Sequence, residues 1–220
     1  MSRSLSVLFA AVICVLGGST AHAAAAPPTA AQLLAKVTGC NQVSHGKYRK
    51  DESSGSATVA VCGKKGGVFW KADMDIDCDG QPSTHCSRST DPDFQAETAF
   101  NDSHGKALRA ETLPYVVVPG VSSIWNYRDS GIRGGTVVAV IYDNKLTYAV
   151  VGDVGPAKAI GEASYATAKS LGIDPNPRTG GVDSGVTYIA LTGALASPIE
   201  SHDSAVAKGQ AAAARFLTEN

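Results

Sequence analysis

Short segments rich in β-branched and aromatic residues, each bounded by Gly, Pro, Asn or Asp, recur along most of this chain. Such segments favour β-strands, because branched side chains suit a pleated, half-buried surface and the flanking residues favour turns. Six segments fit this description: residues 57–62, 67–75, 115–118, 136–142, 146–151 and 186–192. We expect a mainly β fold, and a small closed barrel is the simplest arrangement that leaves no strand edge exposed.

Turn and helix signals add to this prediction. Residues 143–145 (DNK) separate two of the predicted strands, and Asp and Asn tolerate the left-handed backbone of a tight hairpin. Thr29 is placed to cap a first helix, and Gly172 is placed to end a second. We expect three short peripheral helices, over residues 30–37, 162–171 and 205–217.

The beginning of the chain has the features of an export signal. Arg3 provides a positive start, residues 5–17 are apolar, and residues 21–23 (AHA) match the small-x-small cleavage pattern. The apolar run is too short for a permanent membrane anchor. We therefore expect a signal peptide over residues 1–23, a leader and short helix over 24–38, and a single domain over 39–220. The mature protein should be soluble, secreted and extracellular.

The cysteines predict disulfides. Cys14 lies in the predicted signal peptide, which leaves Cys40, Cys62, Cys78 and Cys86 in the mature chain. An even number of cysteines in an oxidising compartment indicates two bridges, and three pairings are possible. We favour Cys40 with Cys62 and Cys78 with Cys86, because each pair closes a local loop. The sequence lacks a Cys-x-x-Cys pair, which disfavours a zinc site.

Charge and missing motifs exclude several classes of protein. Removing Arg3 from 19 basic residues leaves 18 against 20 acidic residues, a net charge of −2 without any basic run. This balance argues against nucleic acid as a partner. The sequence also lacks a Gly-x-Ser-x-Gly motif, a zincin motif and a phosphate-binding loop.

Two acidic residues bracket a glycine-rich turn. Asp153 lies in residues 151–156 (VGDVGP) at the end of a predicted strand, and Glu162 lies in residues 160–164 (IGEAS) at the start of a predicted helix. Cleavage of a glycosidic bond needs two carboxyl groups that flank it. Taken singly, Asp153 is best explained as a turn former and Glu162 as an acid in the first turn of a helix. Taken as a pair, the two residues are explained equally well by these structural roles and by a catalytic role.

Residues 71–80 (KADMDIDCDG) alternate acidic with apolar side chains. In an extended backbone, Asp73, Asp75, Asp77 and Asp79 would line one face, and a cation would relieve their mutual repulsion. Their spacing matches the first half of a calcium loop, but Cys86 stands where an EF-hand requires glutamate. A looser calcium site, a protonated amino sugar and a solvated edge strand all remain open as explanations.

Several aromatic rings are available to lie against sugars: Trp70, Trp125, Tyr127, Tyr148 and Tyr165. Trp125 and Tyr127 belong to a polar stretch, residues 125–129 (WNYRD), so we expect these two to be exposed. Aromatic residues of β proteins also fill cores, which is the competing interpretation.

Residues 71–80, 151–153 and 160–164 together resemble glycoside hydrolase family 75, the secreted microbial chitosanases, and the similarity extends over residues 39–192. This resemblance implies an endo-acting catalytic domain that hydrolyses β-1,4 bonds of chitosan with inversion. We expect no cofactor and no metal ligands. It places the family's essential aspartate and glutamate on Asp153 and Glu162. The turn before Glu162 is also similar to that of double-psi β-barrel hydrolases, which implies that type of barrel.

The resemblance also suggests roles for the remaining candidates. We expect Asp153 as the acid and Glu162 as the base, in a monomer that binds chitosan or its oligomers and not a membrane. The candidate substrate-binding residues are Asp73, Asp75, Asp77, Trp125, Tyr127 and Tyr148. Two alternatives are a peptidoglycan-cleaving barrel enzyme and a carbohydrate-binding module without catalytic activity.

Overall fold

The computed structural model describes residues 26–53 and 55–220, so the predicted signal peptide lies outside the described residues. The strands are β1 (Asn41–Gln42), β2 (Cys62–Lys64), β3 (Gly67–Asp77), β4 (Tyr115–Pro119), β5 (Thr136–Tyr142), β6 (Lys145–Gly155), β7 (Glu162–Ser164) and β8 (Val182–Leu195). The α-helices are α1 (Ala30–Lys36), α2 (Tyr165–Leu171) and α3 (His202–Glu219). Within the described residues, no helix is long and apolar enough to cross a membrane.

Strands β3 to β8 form a closed barrel. They are hydrogen-bonded in the order β3-β7-β4-β6-β5-β8, and β8 pairs back with β3. The pairs β3–β7 and β4–β6 are parallel, and the other four pairs are antiparallel. The predicted mainly β fold with a six-stranded barrel and peripheral helices is therefore confirmed. Its likeness to the double-psi barrel stays a prediction.

Alternation along the strands produces two apolar cores. One core takes side chains from all six barrel strands and fills the barrel; there Trp70 stacks on Tyr188 with ring centroids 5.2 Å apart. The other core lies against α1 and α3 on the outer side, and includes Leu33 and Phe216. Because successive residues of a strand point to opposite faces, the sheet can contribute to both cores.

The predicted hairpin and disulfides are present. Tyr142 faces Lys145, and the two residues between them have the left-handed φ values of 46° and 59° that a tight hairpin requires. Cys40 is bonded to Cys62, and Cys78 to Cys86. The favoured pairing is therefore the one in the structure.

Two element predictions are wrong in part. Predicted strand 57–62 is mostly irregular, because the ladder with β3 begins only at Cys62 and the preceding residues contribute one isolated bridge, between Val59 and Tyr48. Predicted helix 162–171 begins three residues late, at Tyr165. Ser164 caps it by accepting the N–H of Thr167 at 3.2 Å. The three preceding residues, starting at Glu162, pair with β3 and β4 as strand β7.

Candidate active site

Residues from four neighbouring strands form one row across the sheet. Asp75 on β3 pairs with Glu162 on β7, and Glu162 pairs with Val117 on β4. Val117 pairs on its other side with Asp153 on β6, where the register shifts by one residue. Directly paired residues point to the same face of a sheet. The three acidic side chains therefore lie on one side, with Val117 between Glu162 and Asp153.

This register sets the separation of the two candidate catalytic residues. At about 4.8 Å per strand, the backbones of Asp153 and Glu162 lie about 10 Å apart. The Glu162 carboxyl lies close to β6, because a Cβ built on Gly155 would be 3.2 Å from Glu162 Oε2. Gly155 is two residues, or about 7 Å, along β6 from Asp153. The missing side chain at Gly155 therefore leaves room for the Glu162 carboxyl.

Asp153 is held in place by backbone hydrogen bonds. Its Oδ1 accepts the N–H groups of Ala99 and Val154, each at 2.7 Å. Burial is the largest effect and raises the pKa of Asp153, whose exposed fraction is 8%, above its ordinary value, and the two N–H donors offset part of this rise. The donors therefore fix the orientation of this carboxyl group and stabilise its ionised form against the effect of burial.

Glu162 lies in a different environment. Burial, followed by the negative charges of Asp75, Asp79 and Asp153, raises the pKa of Glu162 from 4.5 to about 8. Because this pKa lies above 7, the proton is favoured on Glu162 at neutral pH. The residue before Glu162, Gly161, has a φ of 130°, which side-chain-bearing residues rarely adopt.

Asp77 and Asp79 lie beside this pair. Asp77 is 5% exposed and its Oδ1 accepts the N–H of Asp79 at 2.6 Å. Burial and the charge of Glu162 raise the pKa of Asp77 well above its ordinary value. Burial raises the pKa of Asp79 to about 6, against the lowering effect of the N–H donated by Gln95. Asp77 is thus a neighbour of Glu162 beneath the surface and offers little area to a substrate.

Asp73 departs from the expected row of four acids. A register irregularity between Ala72 and Met74 interrupts the strand alternation there. Asp73 is 4% exposed, and its Oδ1 would be 2.1 Å from a Cβ built on Gly161. The expectation that Asp73 lines the cleft is therefore wrong, because this side chain lies beneath the turn that precedes Glu162.

A cavity of about 320 Å³ opens beside Glu162 and contains acids that the sequence analysis missed. Its charged lining consists of Lys50, Asp51, Glu52, Asp75, Asp93 and Glu162. Residues 49–52 reach it because Arg49 bridges to Ala159, next to the turn that leads into β7. This contact joins segments distant in sequence, so no local pattern could have indicated it.

A second cavity, of about 590 Å³, opens beside Asp153. Its lining includes Asp79, Arg88, Gln95, Glu97 and Asp153. Together the two cavities place open, mostly acidic space next to both carboxyl groups. A carboxylic acid and a carboxylate so arranged can protonate a leaving oxygen and activate water, and the acidic lining would attract a cationic polymer.

Residues 74–218 match the family model described as fungal chitosanase of glycosyl hydrolase group 75. The match covers more than half of the chain and includes both Asp153 and Glu162. The chain belongs to glycoside hydrolase family 75. It is a chitosan-degrading hydrolase.

Relatives of this family-75 enzyme match along most of its length. An endo-chitosanase of Aspergillus oryzae (strain ATCC 42149 / RIB 40) is 31% identical over 219 residues, 89% of each chain. Endo-chitosanase B of the same strain is 28% identical over 86% of this chain and 85% of its own. An endo-chitosanase of Aspergillus fumigatus is 29% identical over 71% and 70%. The solved structure of Streptomyces papain inhibitor (SPI) is similar at a TM-score of 0.34 and 15% identity, over 56% of this chain and 94% of its own.

The expected aromatic platforms of the family-75 enzyme are not exposed. Trp125, Tyr127 and Tyr148 have exposed fractions of 4%, 2% and 5%. Trp125 and Tyr127 pack into the barrel core, and Tyr148 packs beneath Gly209 of α3. The expectation that Trp125 and Tyr127 are exposed is therefore wrong, because the polar residues around them form the surface while the rings point inward.

The aspartates of residues 73–79 do not form a calcium site in the described part of the family-75 enzyme. Across residues 26–53 and 55–220, no group of three or more His, Cys, Asp or Glu side chains is arranged to hold a metal ion. The acids of residues 73–79 are instead divided between buried positions and the two cavities, so they do not converge on one point.

Proposed function

We propose that this chitosanase is a secreted, endo-acting enzyme that inverts configuration, with Glu162 as the general acid and Asp153 as the general base. This order is the reverse of the one expected from the sequence. The observation that carries it is the contrast between the surroundings of the two carboxyl groups, since inverting hydrolysis needs one protonated and one ionised group.

Asp153 is suited to the role of base. Its Oδ1 accepts two backbone N–H groups at 2.7 Å, an arrangement that favours the carboxylate. The large cavity beside it provides space for a water molecule and part of the polymer. A carboxylate there would remove a proton from the water that attacks the anomeric carbon.

Glu162 is suited to the role of acid. Its pKa of about 8 keeps the proton on the carboxyl group at the mildly acidic pH at which chitosan is soluble. A backbone separation of about 10 Å from Asp153 is compatible with the roughly 6.5 to 9.5 Å between carboxyl groups of inverting enzymes. The nucleophilic water would lie on the Asp153 side of that gap, in the cavity beside this carboxyl group.

Acidic side chains around Glu162 would select the substrate. Asp75 and Asp93 are exposed and line the Glu162 cavity, together with Asp51 and Glu52. Glucosamine units carry ammonium groups that such carboxylates attract, whereas the acetylated unit lacks this charge. We propose that these residues form the sugar-binding sites for the polymer and that Asp77 packs beneath Glu162 and supports it. We also propose that the enzyme acts as a monomer.

Variants at the two carboxyl positions test this proposal. Glu162→Gln and Asp153→Asn should each lower kcat on soluble chitosan by about 10² to 10⁴-fold, as expected for a lost general acid or base. Glu162→Gln should regain activity on an aryl glycoside of a glucosamine oligomer, whose leaving group needs no proton. Asp153→Asn should not. The opposite pattern would reverse the order, and near-normal activity of either variant on chitosan would refute both roles.

Product stereochemistry supplies a second test. Proton NMR during hydrolysis of a glucosamine hexamer should show the α-anomer first, because inversion of a β-linkage gives an α-product. Initial β-anomer would contradict inversion. Secretion is tested by N-terminal sequencing of the protein recovered from culture medium, which should begin at residue 24.

A further inference from the structure

One irregular segment, residues 87–95, reaches both cavities of the site, and we call it the strap. Arg88 and Gln95 line the Asp153 cavity, and Asp93 lines the Glu162 cavity. The charge of Asp91, also in the strap, contributes to the raised pKa of Glu162. The position of this segment therefore controls groups on both sides of the cleft.

The two ends of the strap are anchored close to the acidic row. The Cys78–Cys86 disulfide holds the residue before its first position. At the other end, Gln95 donates its N–H to Asp79 Oδ1 at 2.6 Å and accepts the N–H of Gly80 at 2.9 Å. Its first half, residues 87–91, is a tight turn, in which Asp91 donates its N–H to the carbonyl of Ser87 at 2.8 Å.

Arg178 connects this turn to a different part of the molecule. Its Nε donates to the carbonyl of Thr90 at 2.8 Å, and its Nη2 donates to the carbonyl of Ser89 at 3.2 Å. A planar guanidinium can make both bonds at once in a fixed geometry, whereas a lysine ammonium provides only a point charge. The two hydrogen bonds of the Arg178 guanidinium therefore restrain the orientation of the turn as well as its distance from the loop that carries Arg178.

The loop that carries Arg178 is itself well ordered by hydrogen bonds. Arg178 donates its N–H to Asn176 Oδ1 at 2.9 Å, and Asn176 donates its N–H to Asp174 Oδ1 at 3.1 Å. The N–H of Gly181 closes the loop on the carbonyl of Asp174 at 2.9 Å. Arg178 therefore extends from a rigid support to a segment that lacks helix or strand structure.

We propose that Arg178 is a positioning residue for chitosan hydrolysis, which holds the strap over the cleft so that Asp93 meets a sugar ammonium group in the Glu162 cavity. This inference rests on the proposed function. Arg178 contacts the strap and not the cavities that flank the two carboxyl groups. Its effect on the substrate is therefore exerted through Asp93.

Steady-state kinetics on a glucosamine hexamer tests this role. Arg178→Ala should raise KM by about tenfold, the loss expected from one charge-assisted hydrogen bond, with a smaller change in kcat. Arg178→Lys should give an intermediate KM. Arg133→Ala, which removes an exposed arginine from a cavity that includes no strap residue, is the matched control and should leave KM unchanged. An unchanged KM in Arg178→Ala would overturn the inference, and if that variant does not fold, the KM of Arg178→Lys decides.

A double-mutant cycle separates positioning from general loss of structure. Asp93→Asn should raise KM in the wild-type background and have little further effect in Arg178→Ala, because the strap no longer presents that carboxylate. Independent, multiplicative effects would overturn the inference. If wild-type protein releases no reducing ends from the hexamer, the proposed function fails, whereas normal wild-type activity with multiplicative effects rejects the role of Arg178 alone.

Limited proteolysis gives a readout independent of activity. Arg88 is an exposed trypsin site inside the strap. Cleavage after Arg88 should be faster in Arg178→Ala than in wild type, because the released turn unfolds locally more often and then fits the active site of trypsin. Equal cleavage rates in the two proteins would contradict the proposed restraint.

Discussion

Asp75 provides the most direct test of how the acidic row tunes Glu162. The two residues face each other across β3 and β7, and the charge of Asp75 is the largest of the charges that raise the pKa of Glu162. For carboxyl groups about 6 Å apart at an effective dielectric constant of about 40, their repulsion is about 1.4 kcal/mol, or about one pKa unit. Asp75→Asn should therefore lower the pKa of Glu162 from about 8 by about one unit.

The assay is kcat/KM on a glucosamine hexamer between pH 5 and pH 9. At pH 8, the protonated fraction of Glu162 should fall from about one half to about one tenth, so the alkaline limb of the profile moves to lower pH. The substrate amines titrate equally for every variant, so the difference between variants reports the enzyme. Asp93→Asn lines the same cavity and serves as the control, with reduced kcat/KM but a smaller shift. An unshifted limb in Asp75→Asn would refute the reasoning.

Three further predictions concern stability. Because burial raises the pKa of Glu162, the folded chain binds more protons than the unfolded chain from about pH 4.5 to about pH 8. Calorimetry should therefore show a Tm that falls as pH rises through this window. The fall should be less steep in Glu162→Gln, which lacks the titrating group. Gly209→Ala should lower the free energy of unfolding by about 1–3 kcal/mol in urea titrations, despite the better helix propensity of Ala, because its Cβ would lie 2.3 Å from the Tyr148 ring; an unchanged midpoint would contradict the packing argument. Replacing Cys40 and Cys62 by Ser should cost about 3 kcal/mol, since their disulfide closes a separation of 22 residues; a loss far below this value would mean that the unfolded chain is already restrained.

Local patterns in the sequence were sufficient for much of the fold. The hairpin at Asp143 and Asn144 and five of the barrel strands follow from signals that act over a few residues. Both disulfides follow from pairing each cysteine with its neighbour along the chain. The candidate pair was also recognisable, because Asp153 and Glu162 stand beside glycines that leave space around them.

The remaining features depend on contacts between distant segments. Strand β7 has three residues, and its hydrogen bonds to β3 and β4 outweigh the helix signal that begins at Glu162. The irregularity beside Asp73 breaks an alternation that the sequence displays without interruption. Asp51 and Asp93 enter the cavity through loops, whose paths no periodicity predicts.

The pairing of Val117 with both Asp153 and Glu162 has a consequence for how this enzyme can change. The gap between the proposed acid, Glu162, and the proposed base, Asp153, is set by the hydrogen-bonded ladders on either side of β4 and not by the connection formed by residues 156–161. That connection could lengthen or shorten through evolution or engineering while the catalytic spacing stays fixed. A shift of β4 by one residue, in contrast, would turn the Val117 side chain to the opposite face of the sheet. Val117 would then no longer pair with Asp153 and Glu162, and their relative placement would be lost.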